Sequence, residues 1–112
     1  DIAIKIIANT LKENTRNSDI VVRFGGEEFV VLLYNCKEES LLETCEKIRV
    51  SFSQKEIPAG EETIFKTISI GASMFPQDNK NLLKCIKYSD TALYEAKNTG
   101  RNKTVIYKKE IN

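Results

Sequence analysis

Two apolar, strand-forming runs flank the sequence Gly-Gly-Glu-Glu, and this pattern constrains the fold more than any other feature of the chain. IVVRF precedes the glycines and FVVLLY follows the second glutamate. A Gly-Gly pair between two such runs predicts an antiparallel hairpin, because glycine supplies the positive φ that tight hairpin turns need. Two adjacent carboxylates are not required for a turn, and they repel each other. Glu27 and Glu28 therefore need a separate explanation.

The remaining periodicity predicts helices and short strands around this hairpin. Helical spacing of apolar residues predicts helices over residues 2 to about 14, from Ser40 onward, and over about 80 to 98. Ser40 and Glu43 resemble a capping box at the start of the second helix, and Gly100 can end the third. Residues 54 to 63 predict a loop, residues 66 to 74 a strand by their alternation, and residues 104 to 107 a last strand. The faces expected to be buried are Ile4, Ile7, Ala8 and Leu11; Leu41, Cys45, Ile48 and Phe52; and Leu82, Ile86, Leu93 and Ala96.

Length and composition narrow the class of protein. A chain of 112 residues is enough for one domain with one core. Its 17 basic and 16 acidic side chains leave a net charge of +1, which gives no case for a nucleic-acid partner. No apolar run approaches the ~20 residues that span a bilayer. Strands mixed with helices predict an α/β (α+β) fold, with a mixed, largely antiparallel sheet and helices packed on it.

Cysteine and histidine usage excludes several kinds of site. Cys36, Cys45 and Cys85 are widely spaced, and the chain has no histidine, so no zinc spacing is present. The absence of histidine also removes the Ser/His and Cys/His nucleophile arrangements. We expect the three cysteines to be buried free thiols in a reducing cytoplasm.

The acidic hairpin leaves two interpretations. Glycines in a turn let backbone N–H groups approach a ligand such as a phosphate, but neighbouring carboxylates repel a bare phosphate. A divalent cation resolves this conflict, because Mg²⁺ is held by one or two carboxylates and shared with substrate phosphates. Glu27 and Glu28 thus indicate either a metal–nucleotide site or an exposed acidic turn. Since neighbouring strand residues face opposite sides, one glutamate is expected to be the direct ligand and the other a supporting group.

Three segments of the chain resemble one known family. Residues 23 to 29, RFGGEEF, resemble the signature hairpin of the GGDEF domain, the catalytic module of diguanylate cyclases, in its GGEEF form. Ser69-Ile70-Gly71 resembles the S-x-G strand of that family, and residues 90 to 102, DTALYEAKNTGRN, resemble its A-D-x-A-L-Y-x-A-K-x-x-G-R-N segment. The segments agree in order and spacing over essentially the whole chain. The resemblance implies the palm-like GGDEF fold, here without the family's first strand and helix.

The resemblance also implies an activity. Two GTP molecules are converted into cyclic di-GMP and pyrophosphate by a two-fold dimer, in which each domain presents one GTP. Glu27 would bind Mg²⁺ or Mn²⁺ and assist deprotonation of the attacking 3′-hydroxyl, with Glu28 as a second acidic contributor. Gly25 and Gly26 would let the nucleotide lie close to the backbone.

Further residues take their expected roles from the same resemblance. Lys97 and Arg101 would hold the β- and γ-phosphates; the alternative is that these cations complement a helix C-terminus. Arg16-Asn17-Ser18-Asp19 has the form R-x-x-D, and five residues separate Asp19 from Gly25. At this spacing the motif resembles the family's inhibitory site for cyclic di-GMP. Asp1 stands where the family has an aspartate that contacts guanine.

The part of the family pattern that is missing leads to further expectations. The family's metal-binding aspartate, a backbone carbonyl ligand and a guanine-reading asparagine precede the position of Asp1. We expect this chain alone to be inactive and a longer cytoplasmic protein, with an upstream sensory or receiver domain, to be active. The alternative is a non-catalytic module that binds GTP or cyclic di-GMP.

Overall fold

The computed structural model describes residues 1–108, which divide into two compact units, Asp1–Thr67 and the residues from Ile68 onward. The elements of the first unit are α1 (Ile2–Glu13), β1 (Ile20–Arg23), β2 (Phe29–Leu32), α2 (Glu38–Ser53), β3 (Ile57–Ala59) and β4 (Glu62–Ile64). Those of the second are β5 (Ile70–Ala72), α3 (Leu82–Asn98) and β6 (Thr104–Ile106). Helices combined with antiparallel and parallel strand pairs confirm the predicted fold class. No helix within residues 1–108 has the length and apolar character needed to cross a bilayer. The single domain over residues 1 to 112 stays a prediction.

The core of the first unit forms where α1 packs against α2 and β3. The four residues predicted for the inner face of α2 are all buried, and Phe52 is fully enclosed. The predicted capping box is wrong, because α2 begins at Glu38 and Ser40 lies inside its first turn. Lys37 is the N-cap and makes no side-chain cap bond. Glu38 and Glu39 lie in the first turn instead, where their negative charges interact favourably with the positive end of the helix dipole.

A second antiparallel hairpin lies where the sequence predicts only a loop. β3 pairs with β4 in the register Ile57↔Ile64 and Ala59↔Glu62. Gly60 has φ +66° in the connecting turn, a conformation that glycine adopts without steric cost. Pro58 is tolerated because this sheet has only two strands, so a strand edge is open to its missing N–H. The prediction of a loop over residues 54 to 63 is therefore wrong where β3 and the start of β4 lie.

The second unit is a β-α-β arrangement in which α3 connects the parallel strands β5 and β6. Cys85, Ala92 and Ala96 are the buried residues of α3. The predicted inner face is only partly right, because Leu82 is 39% exposed at the first turn. β5 is also shorter than the alternating pattern predicts. Helix α3 packs closely against β5 because Gly71 has no side chain to keep the helix backbone away.

The cysteines are free, as predicted, but they differ in burial. Cys45 and Cys85 are buried, whereas Cys36 is only half-buried, so the prediction of burial is wrong for Cys36. Burial raises the pKa of the Cys45 thiol to about 12. This thiol is therefore protonated near neutral pH and acts as a small apolar side chain.

Candidate functional site

The acidic hairpin is closed by backbone bonds across a three-residue loop. β1 and β2 are antiparallel, with Arg23 opposite Phe29. The Phe24 N–H donates to the Glu28 carbonyl at 2.8 Å, and the Gly25 N–H donates to the same oxygen at 3.3 Å. The predicted hairpin is confirmed, with residues 25 to 27 forming its tip.

The two glycines of this hairpin are not required by the conformation of the turn. Among the described residues, only Gly60 and Gly100 are glycines with positive φ, so the expected role of Gly25 and Gly26 in a positive-φ turn is wrong. A Cβ added at Gly26 would meet nothing within 4 Å, and one at Gly25 would make only ordinary contact with the Glu28 side chain, at 3.9 Å. The described chain therefore has neither a conformational nor a packing need for glycine here. Side chains at these positions would obstruct only what approaches from outside.

The carboxylates at the tip have the donor chemistry of a site for a hard divalent cation. Glu27 and Glu28 are exposed, and neither forms a salt bridge with any of residues 1–108. Mg²⁺ prefers oxygen ligands and commonly takes one or two carboxylates together with phosphate oxygens. No group of three or more Asp, Glu, Cys or His side chains suited to a metal occurs in the described part of the chain. The pair fits part of a metal site, to which other oxygen ligands must be added.

The Arg16 and Asp19 side chains form a locked turn against the end of the hairpin. The Asp19 carboxylate accepts from the Arg16 backbone N–H and the Tyr34 backbone N–H, at 2.8 and 2.9 Å. It also forms a salt bridge with the Arg16 guanidinium, which donates in addition to the Tyr34 carbonyl. Burial raises the pKa of Asp19, but the hydrogen bonds from Arg16 and Tyr34 outweigh it, so the pKa lies below its ordinary value of 3.8. These bonds give Asp19 a structural role.

A cavity of about 260 Å³ adjoins this turn. Its lining is formed by Lys12, Thr15, Arg16, Asn17, Asp19 and Val21. The side chain of Arg16 is 58% exposed, whereas that of Asp19 is 2% exposed. Lys12 and Arg16 together with the single carboxylate of Asp19 leave the lining with a net positive charge, which favours an anionic ligand. Of the predicted inhibitory pair, Arg16 is thus open to a ligand and Asp19 is engaged within the protein.

In the second unit, the end of α3 presents Lys97 and Arg101 to solvent. Gly100 has φ +118°, and the Arg101 N–H donates to the Ala96 carbonyl at 2.9 Å, which is the helix-ending arrangement predicted for Gly100. The carbonyl of Thr99 accepts from the Lys103 ammonium group. Lys97 itself lies in the last turn of α3, where a cation complements the helix C-terminus. Its phosphate role therefore stays a prediction. Neither Lys97 nor Arg101 forms a salt bridge within residues 1–108.

Arg101 has an unusual backbone. Its φ is +59°, and the φ of Asn102 is +48°, in the region that residues other than glycine seldom occupy. The Ser69 hydroxyl accepts from the Asn102 N–H at 3.1 Å and so connects this turn to the residue before β5. Such conformations cost free energy and concentrate at functional sites. The two motif segments of this unit, residues 69–71 and 90–102, therefore meet in one structure.

Asp1 has a local structural role. Its carboxylate accepts from the Ala3 N–H at 2.8 Å and caps α1. Asp1 is exposed and so is open to a ligand. Its contact with guanine stays a prediction.

Three residues of the motifs have structural roles that sequence patterns do not reveal. The Arg23 guanidinium donates to the carbonyls of Gly25 and Gly26, at 3.2 and 2.7 Å. Ser69 anchors the Arg101 turn. Gly71 lies directly against the backbone of α3. The position of these residues inside the motifs was the one sign in the sequence that they matter. The groups that they contact are revealed only by the tertiary structure.

Comparison with protein families gives one match that spans most of the chain. The model described as diguanylate cyclase, GGDEF domain, matches residues 1–103. Diguanylate cyclase A of Treponema denticola is 37% identical over 111 residues, which cover 99% of this chain and 30% of that protein. The chain therefore spans less than a third of the length of this relative.

Solved structures show the same fold. The active GGEEF domain of a diguanylate cyclase from Vibrio cholerae has a TM-score of 0.83 at 28% identity, covering 96% of this chain and 68% of that one. The GGDEF domain of DgcB from Caulobacter crescentus, solved in complex with c-di-GMP, has a TM-score of 0.83 at 25% identity, covering 94% and 63%. These likenesses extend over both compact units.

Proposed function

The chain belongs to the GGDEF family of diguanylate cyclase domains, and on that premise we propose that it is the part of a diguanylate cyclase that holds GTP against an acidic hairpin. The observation that carries this proposal is the pair Gly25 and Gly26, for which residues 1–108 have no conformational or packing need, beside two carboxylates that form no salt bridge with those residues. Space for a ligand explains glycines that neither conformation nor packing explains.

The reaction joins two GTP molecules, each presented by one domain of a two-fold dimer. The 3′-hydroxyl oxygen of one GTP forms a bond to the α-phosphorus of the other, and the bond from that phosphorus to the oxygen bridging to the β-phosphate breaks. Pyrophosphate leaves, and the hydroxyl proton passes toward a carboxylate. Repetition by the second pair of groups closes cyclic di-GMP, with a second pyrophosphate released.

The side chains of this chain have distinct roles in that reaction. Glu27 lies at the exposed tip and takes the leading part, as metal ligand and as the group that helps remove the hydroxyl proton. Glu28 adds a second carboxylate. A bound Mg²⁺ or Mn²⁺ would neutralise charge on the phosphate oxygens held beside these carboxylates. Lys97 and Arg101, both exposed and without salt bridges in the described chain, bind the β- and γ-phosphates.

The hairpin supplies at most two of the six ligands that an octahedral Mg²⁺ needs. We therefore expect no turnover by this 112-residue chain alone and turnover by a longer protein that includes it. The assay is formation of cyclic di-GMP from GTP and Mg²⁺, resolved by chromatography. Turnover by the chain alone would contradict this view of the ligand set.

A matched pair of variants tests the role of Glu27 in the longer protein. Glu27→Gln removes the charge at the tip, and Glu43→Gln removes the same charge from an exposed position on α2. We expect E27Q to lose at least about 100-fold in kcat, as typical for a group that handles the proton, while E43Q keeps wild-type turnover. Equal activity of the two variants would refute the assignment.

A second function, binding of cyclic di-GMP without catalysis, is favoured by the cavity beside Arg16. Calorimetry with cyclic di-GMP, using wild type and Arg16→Ala, tests it in the absence of GTP. Inhibition of turnover that disappears in R16A would make the cavity a product-inhibition site. Binding of cyclic di-GMP by a longer protein that never converts GTP would favour the non-catalytic module.

A further inference from the structure

Arg23 precedes the glycine pair, and its guanidinium reaches forward over the loop that follows. Its Nε donates to the Gly25 carbonyl at 3.2 Å, and its Nη2 donates to the Gly26 carbonyl at 2.7 Å. Two consecutive carbonyls are thus held by one planar group. Arg23 forms no salt bridge within residues 1–108, although two carboxylates follow a few residues later.

These bonds restrict a segment that would otherwise be highly mobile. Glycine has more backbone freedom than any other residue, and Gly25 and Gly26 have no side chains to pack. Within residues 1–108, the backbone bonds that close the loop are those from the Phe24 and Gly25 N–H groups to the Glu28 carbonyl. At the tip itself, the Arg23 fork fixes the planes of the two peptides that follow Gly25 and Gly26. The orientation of these peptide planes determines the position of the Glu27 backbone.

The direction of the two carbonyls also determines the direction of two N–H groups. In a trans peptide, the C=O and the following N–H point in opposite directions. With the carbonyls of Gly25 and Gly26 turned toward the guanidinium, the N–H groups of Gly26 and Glu27 point away from it. Neither N–H has an acceptor among the described residues. Gly26 and Glu27 are both exposed, so an oxygen of a ligand can approach these N–H groups from solvent.

We propose that Arg23 is a positioning residue, whose fork holds the glycine loop so that Glu27 and two backbone N–H groups face the bound nucleotide. This rests on the proposed function for the identity of the nucleotide, but the fork itself is a property of the hairpin. This role depends on the shape of the side chain, because the planar guanidinium group of arginine has two parallel N–H donors and the lysine ammonium group does not.

The first test measures order in the hairpin of this chain by ¹⁵N heteronuclear NOE at Gly25, Gly26 and Glu27. Arg23→Lys keeps the charge and loses the fork, whereas Arg23→Gln loses both. Lys37→Gln, at an exposed position, is the control for removal of one positive charge. We expect wild type and K37Q to show an ordered tip, and R23K and R23Q to show a mobile one. An R23K tip as ordered as wild type would overturn the proposal.

The second test measures steady-state kinetics with GTP and Mn²⁺ in a longer protein that includes this chain. Small displacement of a catalytic group lowers rate strongly, so we expect kcat to fall by about ten- to a hundredfold in both R23K and R23Q. If Arg23 acted through its charge alone, the kcat of R23K would stay near that of wild type. That result would overturn the positioning role. If wild type has no turnover, the proposed function fails, while the NOE comparison still decides whether Arg23 orders the loop.

Discussion

Gly71→Ala tests the packing of the helix that presents Lys97. The ideal Cβ at Gly71 lies 2.1 Å from the Ser89 carbonyl oxygen, 2.3 Å from the Leu93 nitrogen and 2.8 Å from its Cα. All three are backbone atoms of α3, so no side chain can rotate away. Ordinary contact begins at 3.4 Å, which means that the strand and the helix must separate by about 1.3 Å to accept one methyl group.

The cost follows from this separation. Overpacking a core by one methyl group typically costs about 1–3 kcal/mol. The upper end applies here because the obstacle is a helix backbone, so we expect G71A to lose about 3 kcal/mol in the free energy of unfolding. At about 4 °C per kcal/mol for a chain of this size, the melting temperature falls by roughly 12 °C.

Urea denaturation followed by circular dichroism measures this change, and two other glycines supply matched controls. Gly60→Ala introduces no clash but places alanine at φ +66°, which costs about 1–2 kcal/mol. Gly26→Ala meets open space without positive φ, so its stability should stay within about 0.5 kcal/mol of wild type. The order G71A, G60A, G26A is the expected order of destabilisation. A G71A protein as stable as G26A would refute the close contact between β5 and α3.

Three further changes have distinct expected outcomes. Asp19 has a lowered pKa in the folded chain, so its contribution to stability is present above its unfolded pKa and is lost as pH falls through the folded value. In urea titrations, Asp19→Asn should therefore be destabilised relative to wild type at pH 7, and this difference should shrink as pH falls below the ordinary value of 3.8. A difference in stability that is the same at neutral and acidic pH would contradict this linkage. Arg101→Gly relieves the strain of a positive φ, but glycine gives the unfolded chain more conformational entropy, and the two effects are similar in size. The free energy of unfolding should therefore change by less than about 0.5 kcal/mol, while GTP affinity, measured by calorimetry, falls about tenfold or more. Unchanged affinity would remove Arg101 from the phosphate site. Iodoacetamide at pH 8 should label Cys36 first and leave Cys45 unmodified in the folded protein, because the Cys45 thiol is buried with a pKa of about 12; equal labelling rates by mass spectrometry would show that Cys45 is accessible.

The sequence predicts the helices and the first hairpin well because their periodicities are strong. Leu41, Cys45, Ile48 and Phe52 are buried as their spacing requires. The prediction of a loop over residues 54 to 63 was wrong for β3 and β4, because proline and glycine are turn residues in most contexts. Pairing with Glu62–Ile64 outweighs that local preference, and no local pattern indicates it.

The candidate site shows a similar division. Its motifs were sufficient to identify the family, and the family match over residues 1–103 confirms that prediction. The conformational reason given for Gly25 and Gly26 was wrong, because φ at a three-residue loop depends on the bonds that close it. The catalytic and binding roles of individual residues stay predictions.

The sequence by itself determined the family and the residues that carry charge, because these depend on residue type and spacing along the chain. Tertiary structure alone decided that Gly71 faces the backbone of α3, that bonds from Arg16 and Tyr34 hold Asp19 in its charged form, and that the Arg23 fork holds the glycine carbonyls. Each of these depends on distances between atoms that the order of residues does not specify. In the acidic hairpin the carboxylates were visible from sequence, but the group that holds their loop in place was not.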